Sequence, residues 1–424
     1  MQFINISHPE QKLTFPQAVI TGLGKGQGLF FPERLAPLEN IDALLELDFV
    51  NRSKIILQYL VGDSMPTRVL QTCVEQAFNF PVTLAPVSSH VHALELFHGP
   101  SLAFKDFGAR FMAQCLASFR SDQRTTILTA TSGDTGAAVA LAFYDQPGIE
   151  VVVLYPKGKV TPLQEKLFCT LGGNIKTIAI EDDFDACQQL VKQSFDDQQL
   201  VGTLGLNSAN SINVARLLAQ VCYYFEAVAK LPRGVEPVFS VPSGNFGNVT
   251  AGLLAYALGL PMKRLIAATN LNDTVPRFFE SGKWEPRPTV TTLTNAMDIS
   301  LPNNFPRVLE LEKRHGLPLQ DLLTSFSIND NETKEAVSAL DKESYLADPH
   351  SALAWRALTD SLQDHETGVF LCTAHPAKFR ETIEETLQRP VMLPEALERV
   401  SGKEVLSTDM PADFSLLREY LLKK

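Results

Sequence analysis

The sequence predicts an α/β protein with mostly parallel sheets covered by helices, preceded by a mostly helical N-terminal unit. Three observations carry this. From about residue 125 onward, short β-rich runs alternate with helical runs. The loops joining them are rich in glycine, serine and threonine, at the strand-to-helix turns where open α/β sheets bind ligands. In the first eighty residues, by contrast, apolar residues recur every three or four positions with little sign of a strand.

The elements follow in order. Helices are expected around residues 41–61 and 66–78. TTILTA (125–130), TSGDTG (131–136) and AAVALAFY (137–144) form a first strand, loop and helix. EVVVLY (150–155) with TPLQEKLFCTL (161–171), and IKTIAI (175–180) with a helix over 184–195, repeat the order. A helix over 212–230 precedes strand PVFSV (237–241), loop PSGNFGN (242–248) and a helix over 249–258. RLIAAT (264–269) is a strand, 352–362 is helical, and strand VFLCT (369–373) leads into a helix from His375. WEPRP (284–288) reads as part of a long surface loop.

Composition excludes several function classes. The 424 residues are 45% apolar and 20% charged, the balance of an ordinary folded chain. With 37 basic against 48 acidic residues the net charge is −11, and no basic patch stands out, so neither nucleic acid nor membrane is an expected partner. Cys73, Cys115, Cys169, Cys187, Cys222 and Cys372 are far apart and form no CxxC pair, so they read as buried thiols in a reducing compartment. No leader pattern and no run long enough to span a bilayer is visible, and a cytoplasmic location is expected. His90 and His92 alternate as on a strand face without clustered carboxylates, so no metal site is expected. GLGKGQG (22–28) fits neither GxGxxG nor a P-loop.

Three loops suit anions. SGNFGN follows an apolar strand and opens a helix, so its glycines let backbone amides converge at a positive helix end; the plainer reading is a strand-to-helix turn. TSGDTG has the same placement and adds the hydroxyls of Thr131, Ser132 and Thr135; its plainer reading is a helix start capped by Asp134 or Thr135. NSANSINVAR (207–216) sets Ser211 and Arg216 across a helix start, where an arginine can close on an anion held by helix amides.

The chemistry centres on ELFHGPSLAFKDFGARFMAQCLASF (95–119), an apolar helical stripe with Ser101 as the expected cap. Lys105 falls in its first turn. The positive end of the helix dipole and partial burial both disfavour a charged amine there, and a neutral amine is what Schiff-base chemistry requires. An exposed lysine is the plainer alternative.

HGPSLAFKDFGARFM, TATSGDTGAA, NSANSINVAR, SGNFGN and TAHPAKF, with GLFFPE (28–33), ATNLNDTVPRF (268–278) and DPHSA (348–352), resemble the bacterial and fungal threonine synthase family, over essentially the whole chain. These are pyridoxal-phosphate enzymes of the tryptophan-synthase-β fold type. The resemblance implies two open sheets: residues 81–120 and 206–424 form a large cofactor-binding unit, 121–205 a smaller mobile unit bearing TSGDTG, and 1–80 the helical unit. It implies that Lys105 joins the cofactor pyridoxal 5'-phosphate covalently and later moves protons. Gly244, Asn245, Phe246, Gly247 and Asn248 would cradle the cofactor phosphate, and Thr373 would face the pyridine nitrogen. Thr131, Ser132, Asp134 and Thr135 would receive the substrate α-carboxylate, and Ser211 and Arg216 the substrate phosphate. The implied reaction turns O-phosphohomoserine and water into threonine and phosphate, in a monomer or homodimer. Many relatives of the fold type carry Asn where this loop has Asp134, which leaves the partner of the cofactor's phenolic oxygen open. A dehydratase or β-replacement enzyme of the same fold type, or a threonine-synthase-like protein binding other phosphorylated amino acids, are the rival readings.

Overall fold

In the computed structural model, which describes residues 1–119 and 124–423, two parallel-rich sheets flank the site. The larger has the strand order Leu323–Ser327, Arg264–Thr269, Val238–Pro242, Gly368–Cys372, Val91–Glu95, Thr83–Pro86. Neighbouring strands in it are parallel except for the last pair. The smaller sheet is parallel throughout, in the order Thr408–Met410, Ile175–Ile180, Ile149–Pro156, Thr125–Ala130, Leu206–Asn207. Val238–Pro242 and Gly368–Cys372 are buried along their whole length, which is why they read as unbroken apolar runs rather than alternating ones.

The structure departs from the sequence reading at short elements. The N-terminal unit opens with a three-stranded antiparallel sheet of Phe3–Asn5, Lys12–Leu13 and Phe30–Pro32, beside its helices Phe15–Thr21, Ile41–Leu45, Phe49–Val61 and Thr67–Ala77. Strands of two or three residues are too short for alternation to show. Thr408–Met410 pairs with Ile175–Ile180, and Leu417 and Leu421 of helix Phe414–Leu422 join that sheet's core. The end of the chain therefore packs on the smaller sheet, although the sequence assigned all of 206–424 to the larger unit. The boundary expected between 120 and 121 lies outside the described residues.

Helix Val214–Ala229 is buried from Val214 to Val228 and packs against helices Lys105–Ser118 and Gly247–Ala257. The helix is buried on every side, its polar side chains Arg216, Gln220 and Glu226 included, so it lies at the centre of the protein. Arg52 of the N-terminal unit reaches it through a buried ion pair with Glu226, and its Nε donates to the carbonyl of Leu44 at 3.1 Å. Phe49, Phe78 and Phe80 pack around Phe107 with ring centroids 4.7–6.0 Å away. All six cysteines are buried and unpaired, and no described helix is long and apolar enough to cross a membrane. Arg52→Met leaves the Glu226 carboxylate with only the exposed Lys230, 3.3 Å from its Oε1, and is expected to cost about 1–3 kcal/mol. A urea midpoint unchanged from wild type would show that this pair does not hold the N-terminal unit in place.

Candidate active site

Lys105 opens helix Lys105–Ser118. The expected Ser101 cap is not formed. Instead the Ser101 backbone N–H donates to Asp106 Oδ2 at 2.8 Å, and the Ser101 hydroxyl has no partner among the described residues. Leu102 takes a left-handed conformation with φ 56°. The loop is stitched to the end of strand Gly368–Cys372: Phe104 N–H donates to the Thr373 carbonyl at 2.9 Å, and His375 N–H to that of Leu102 at 3.0 Å. Burial pushes the Lys105 amine down to about 8; Asp134 opposes this, while Arg216 and Lys378 reinforce it.

The second element runs from strand Val238–Pro242 to helix Gly247–Ala257. A Cβ at Gly244 would lie 2.7 Å from the backbone of Met297, so no side chain fits there. Phe246 is left-handed, φ 59°, a strained setting for a residue with a Cβ that persists only where its surroundings enforce it. Asn248 Oδ1 accepts from Tyr223 Oη at 2.6 Å and Tyr224 Oη at 2.8 Å. Its Nδ2 is buried with no partner among the described residues. A buried donor with no acceptor is the feature that a bound anion would complete.

The third element belongs to the smaller sheet. Thr131 Oγ1 accepts from the N–H groups of Gly133 (2.9 Å) and Gly136 (2.8 Å), so it braces the loop while Ser132 and Thr135 remain partly exposed. Asp134 caps nothing; it is the first residue of helix Asp134–Phe143 and is buried. Lys378 Nζ lies 2.5 Å from its Oδ1, and Gln164 Nε2 donates to the same oxygen at 2.8 Å. Burial alone would raise this carboxyl, but Lys378 and Lys105 outweigh it and hold it well below the usual carboxylate range. Lys378 is fully buried and also donates to the Ser101 carbonyl at 2.9 Å.

Ser211 and Arg216 approach from the start of helix Val214–Ala229. Arg216 is buried; its Nη1 donates to the Ala209 carbonyl at 2.5 Å, and its Nε has no partner among the described residues. Burial lowers it to about 10, so it stays a cation at neutral pH. Lys105, Thr131, Ser132, Asp134, Thr135, Ser211, Arg216, Gly244 to Asn248 and Thr373 all line one cleft, which encloses about 1060 Å³ with its mouth included. Sequence reasoning missed His350, Asn210 and Lys378. The first two line the same cleft, and Lys378 sits behind Asp134. His350 Nε2 accepts from Ala296 N–H at 3.3 Å, which places the ring proton on Nδ1, 2.8 Å from Asp348 Oδ1. DPHSA and TAHPAKF contained His350 and Lys378, but only folding shows where they point.

Comparisons with known proteins identify the family. A family model for pyridoxal-phosphate dependent enzymes matches residues 82–373, and models for the threonine synthase N terminus and C-terminal region match 2–78 and 351–421. Threonine synthase of Haemophilus influenzae is 59% identical over 425 residues, covering 100% of both chains. The chain belongs to the threonine synthase family. The crystal structure of threonine synthase from Escherichia coli matches with a TM-score of 0.96 and 56% identity, covering 100% of both chains. That of PLP-bound threonine synthase from Brucella melitensis matches with a TM-score of 0.93 and 32% identity, covering 99% of this chain and 98% of that one. The chain is thus a pyridoxal-phosphate-dependent lyase. The orphaned Asn248 donor, the side-chain-free approach at Gly244 and the lysine of depressed basicity fit that cofactor.

Because Lys105 must lose a proton before it attacks an aldehyde, its reaction with pyridoxal in the cofactor-free protein should rise with pH and level off above about 8. Lys378→Met removes a repelling cation, so the midpoint should move upward. A midpoint near the ordinary lysine value of 10.5 in the unmodified protein would contradict this electrostatic reading.

Proposed function

We propose that the enzyme converts O-phospho-L-homoserine and water to L-threonine and phosphate, the last step of threonine biosynthesis, in the cytoplasm. One observation supports the substrate reading: a single cleft is lined by Lys105, the Gly244 to Asn248 loop and the Ser211 and Arg216 pair, the last two joined by the hydrogen bond from Asn245 to Ser211. One suits the cofactor's phosphate, the other a phosphate on the substrate. Six buried thiols support a reducing compartment.

Pyridoxal phosphate supplies an electron sink for charge developing beside the amino group. The chain's residues do the rest. Lys105 would hold the cofactor and would take the proton from the substrate's α-carbon. Thr373, at the end of its strand, suits the pyridine nitrogen. Ser132 and Thr135, on the loop that Thr131 braces and Asp134 anchors, suit the α-carboxylate. Arg216, a buried cation with an unused Nε, and Ser211 hold the phosphate that leaves the γ-carbon. In a protein of net charge −11, these preorganised donors must overcome the overall field, and they act strongly where water is excluded. Closing the smaller sheet over the substrate would supply that exclusion.

The test is inorganic phosphate release from O-phosphohomoserine in the presence of pyridoxal phosphate. Ketoacid formation from threonine or serine without phosphate release would favour a dehydratase instead. Lys105→Ala should abolish turnover and the protein-bound cofactor absorption. Arg216→Ala should lower kcat/KM for O-phosphohomoserine by about 10- to 100-fold, the loss expected for a charged hydrogen bond of about 1.5–3 kcal/mol. Cofactor affinity should hold, and an equal loss of both would remove Arg216 from the substrate site.

A further inference from the structure

Ser211 Oγ accepts two hydrogen bonds, from Asn245 Nδ2 at 2.6 Å and from Asn304 Nδ2 at 3.3 Å. Neither amide can be turned round. Asn245 Oδ1 accepts from the backbone N–H of Asn303 at 2.6 Å, which a reversed amide would meet with a second donor. Asn304 Oδ1 accepts from Arg307 Nη1 at 2.6 Å, and its Nδ2 also donates to the Asn245 carbonyl at 3.1 Å, so both ends are fixed by groups of unambiguous role. A hydroxyl has two acceptor positions and one proton. With both acceptor positions filled, the Ser211 proton is left for whatever occupies the cleft.

The support runs further back. Asn304 and Arg307 are fully buried. Arg307 Nη2 donates to the carbonyls of Phe30 at 2.8 Å and Ile212 at 2.7 Å. Phe30 belongs to the N-terminal sheet, so that unit is wired into the edge of the anion site.

We propose that Asn304 is a positioning residue that makes the Ser211 hydroxyl an obligate donor to the substrate's phosphate, and that Arg307 fixes it to the N-terminal unit. This rests on the reading of Ser211 as a contact to that phosphate. Its test is a double-mutant cycle on the holoenzyme with Ser211→Ala, Asn304→Ala and the double variant. The readouts are KM for O-phosphohomoserine and the equilibrium affinity of the phosphonate in which CH2 replaces the bridging oxygen. Each single variant should weaken both by about tenfold, roughly one charged hydrogen bond, and the double variant should be no weaker than Ser211→Ala. Effects that multiply would mean that Asn304 acts independently of Ser211, which overturns the relay alone. An unchanged KM and affinity in Ser211→Ala overturns the reading of Ser211 and the relay with it. Asn304→Asp keeps the bond from Arg307 but takes the Ser211 proton for itself; if Asn304→Ala does not fold, unchanged affinity in this variant overturns the relay.

Discussion

A buried ion pair, Lys378 with Asp134, crosses between the two sheets beside the reactive amine. Lys378 follows the last strand of the larger sheet's centre, and Asp134 opens the helix after Thr125–Ala130 of the smaller. Through the Ser101 carbonyl, the same lysine also holds the loop that presents Lys105. Leaving either charge alone in so dry a place would cost several kcal/mol, so the loops that carry them are held together. Any motion of the smaller sheet must pivot about this pair or break it. Asp134 also enters the site with its charge already matched, a setting that an asparagine at the same position would not share.

Around that pair, the site solves a problem of charge. An acidic protein has to attract anions and make a lysine lose its proton more readily than usual. Both demands are met by the same means, which is dense placement of fixed donors and cations in a region of low dielectric. Arg216 and Lys378 repel a proton from Lys105, and the unused donors of Arg216 and Asn248 wait for anions. Two non-glycine residues with left-handed backbone, Leu102 and Phe246, sit in the loops that shape this region. Their strain is tolerated because the surrounding hydrogen bonds and packing over-determine both loops.

Much of this was readable before folding. The alternation of strands and helices announced the parallel sheets, and Ile175–Ile180 and Arg264–Thr269 have the limits that their apolar runs suggest. The glycine-rich turns pointed to the cleft because such turns lie at strand ends by topology. Other features left no periodic mark. Phe3–Asn5 and Thr408–Met410 have three residues each. The strand Leu323–Ser327 and helices Phe305–His315 and Asp330–Lys342 went unread, although Asn329 and Glu332 form a capping box before the second helix and Gly316 ends the first. Ser101 looked like a cap because a proline precedes it, yet the neighbouring Asp106 takes its backbone N–H. Lys378 and Arg307 act across more than two hundred residues of sequence and Asn304 across 93, and no local pattern encodes such a partner.

The central claim is that one amine, Lys105, is the cofactor's covalent anchor because the folded chain holds it at the meeting point of these loops. Borohydride reduction of the holoenzyme followed by peptide mapping tests it directly. The account predicts the pyridoxyl mass on the peptide containing Lys105 alone. The same mass on Lys378 or any other lysine, with Lys105 unmodified, would contradict it.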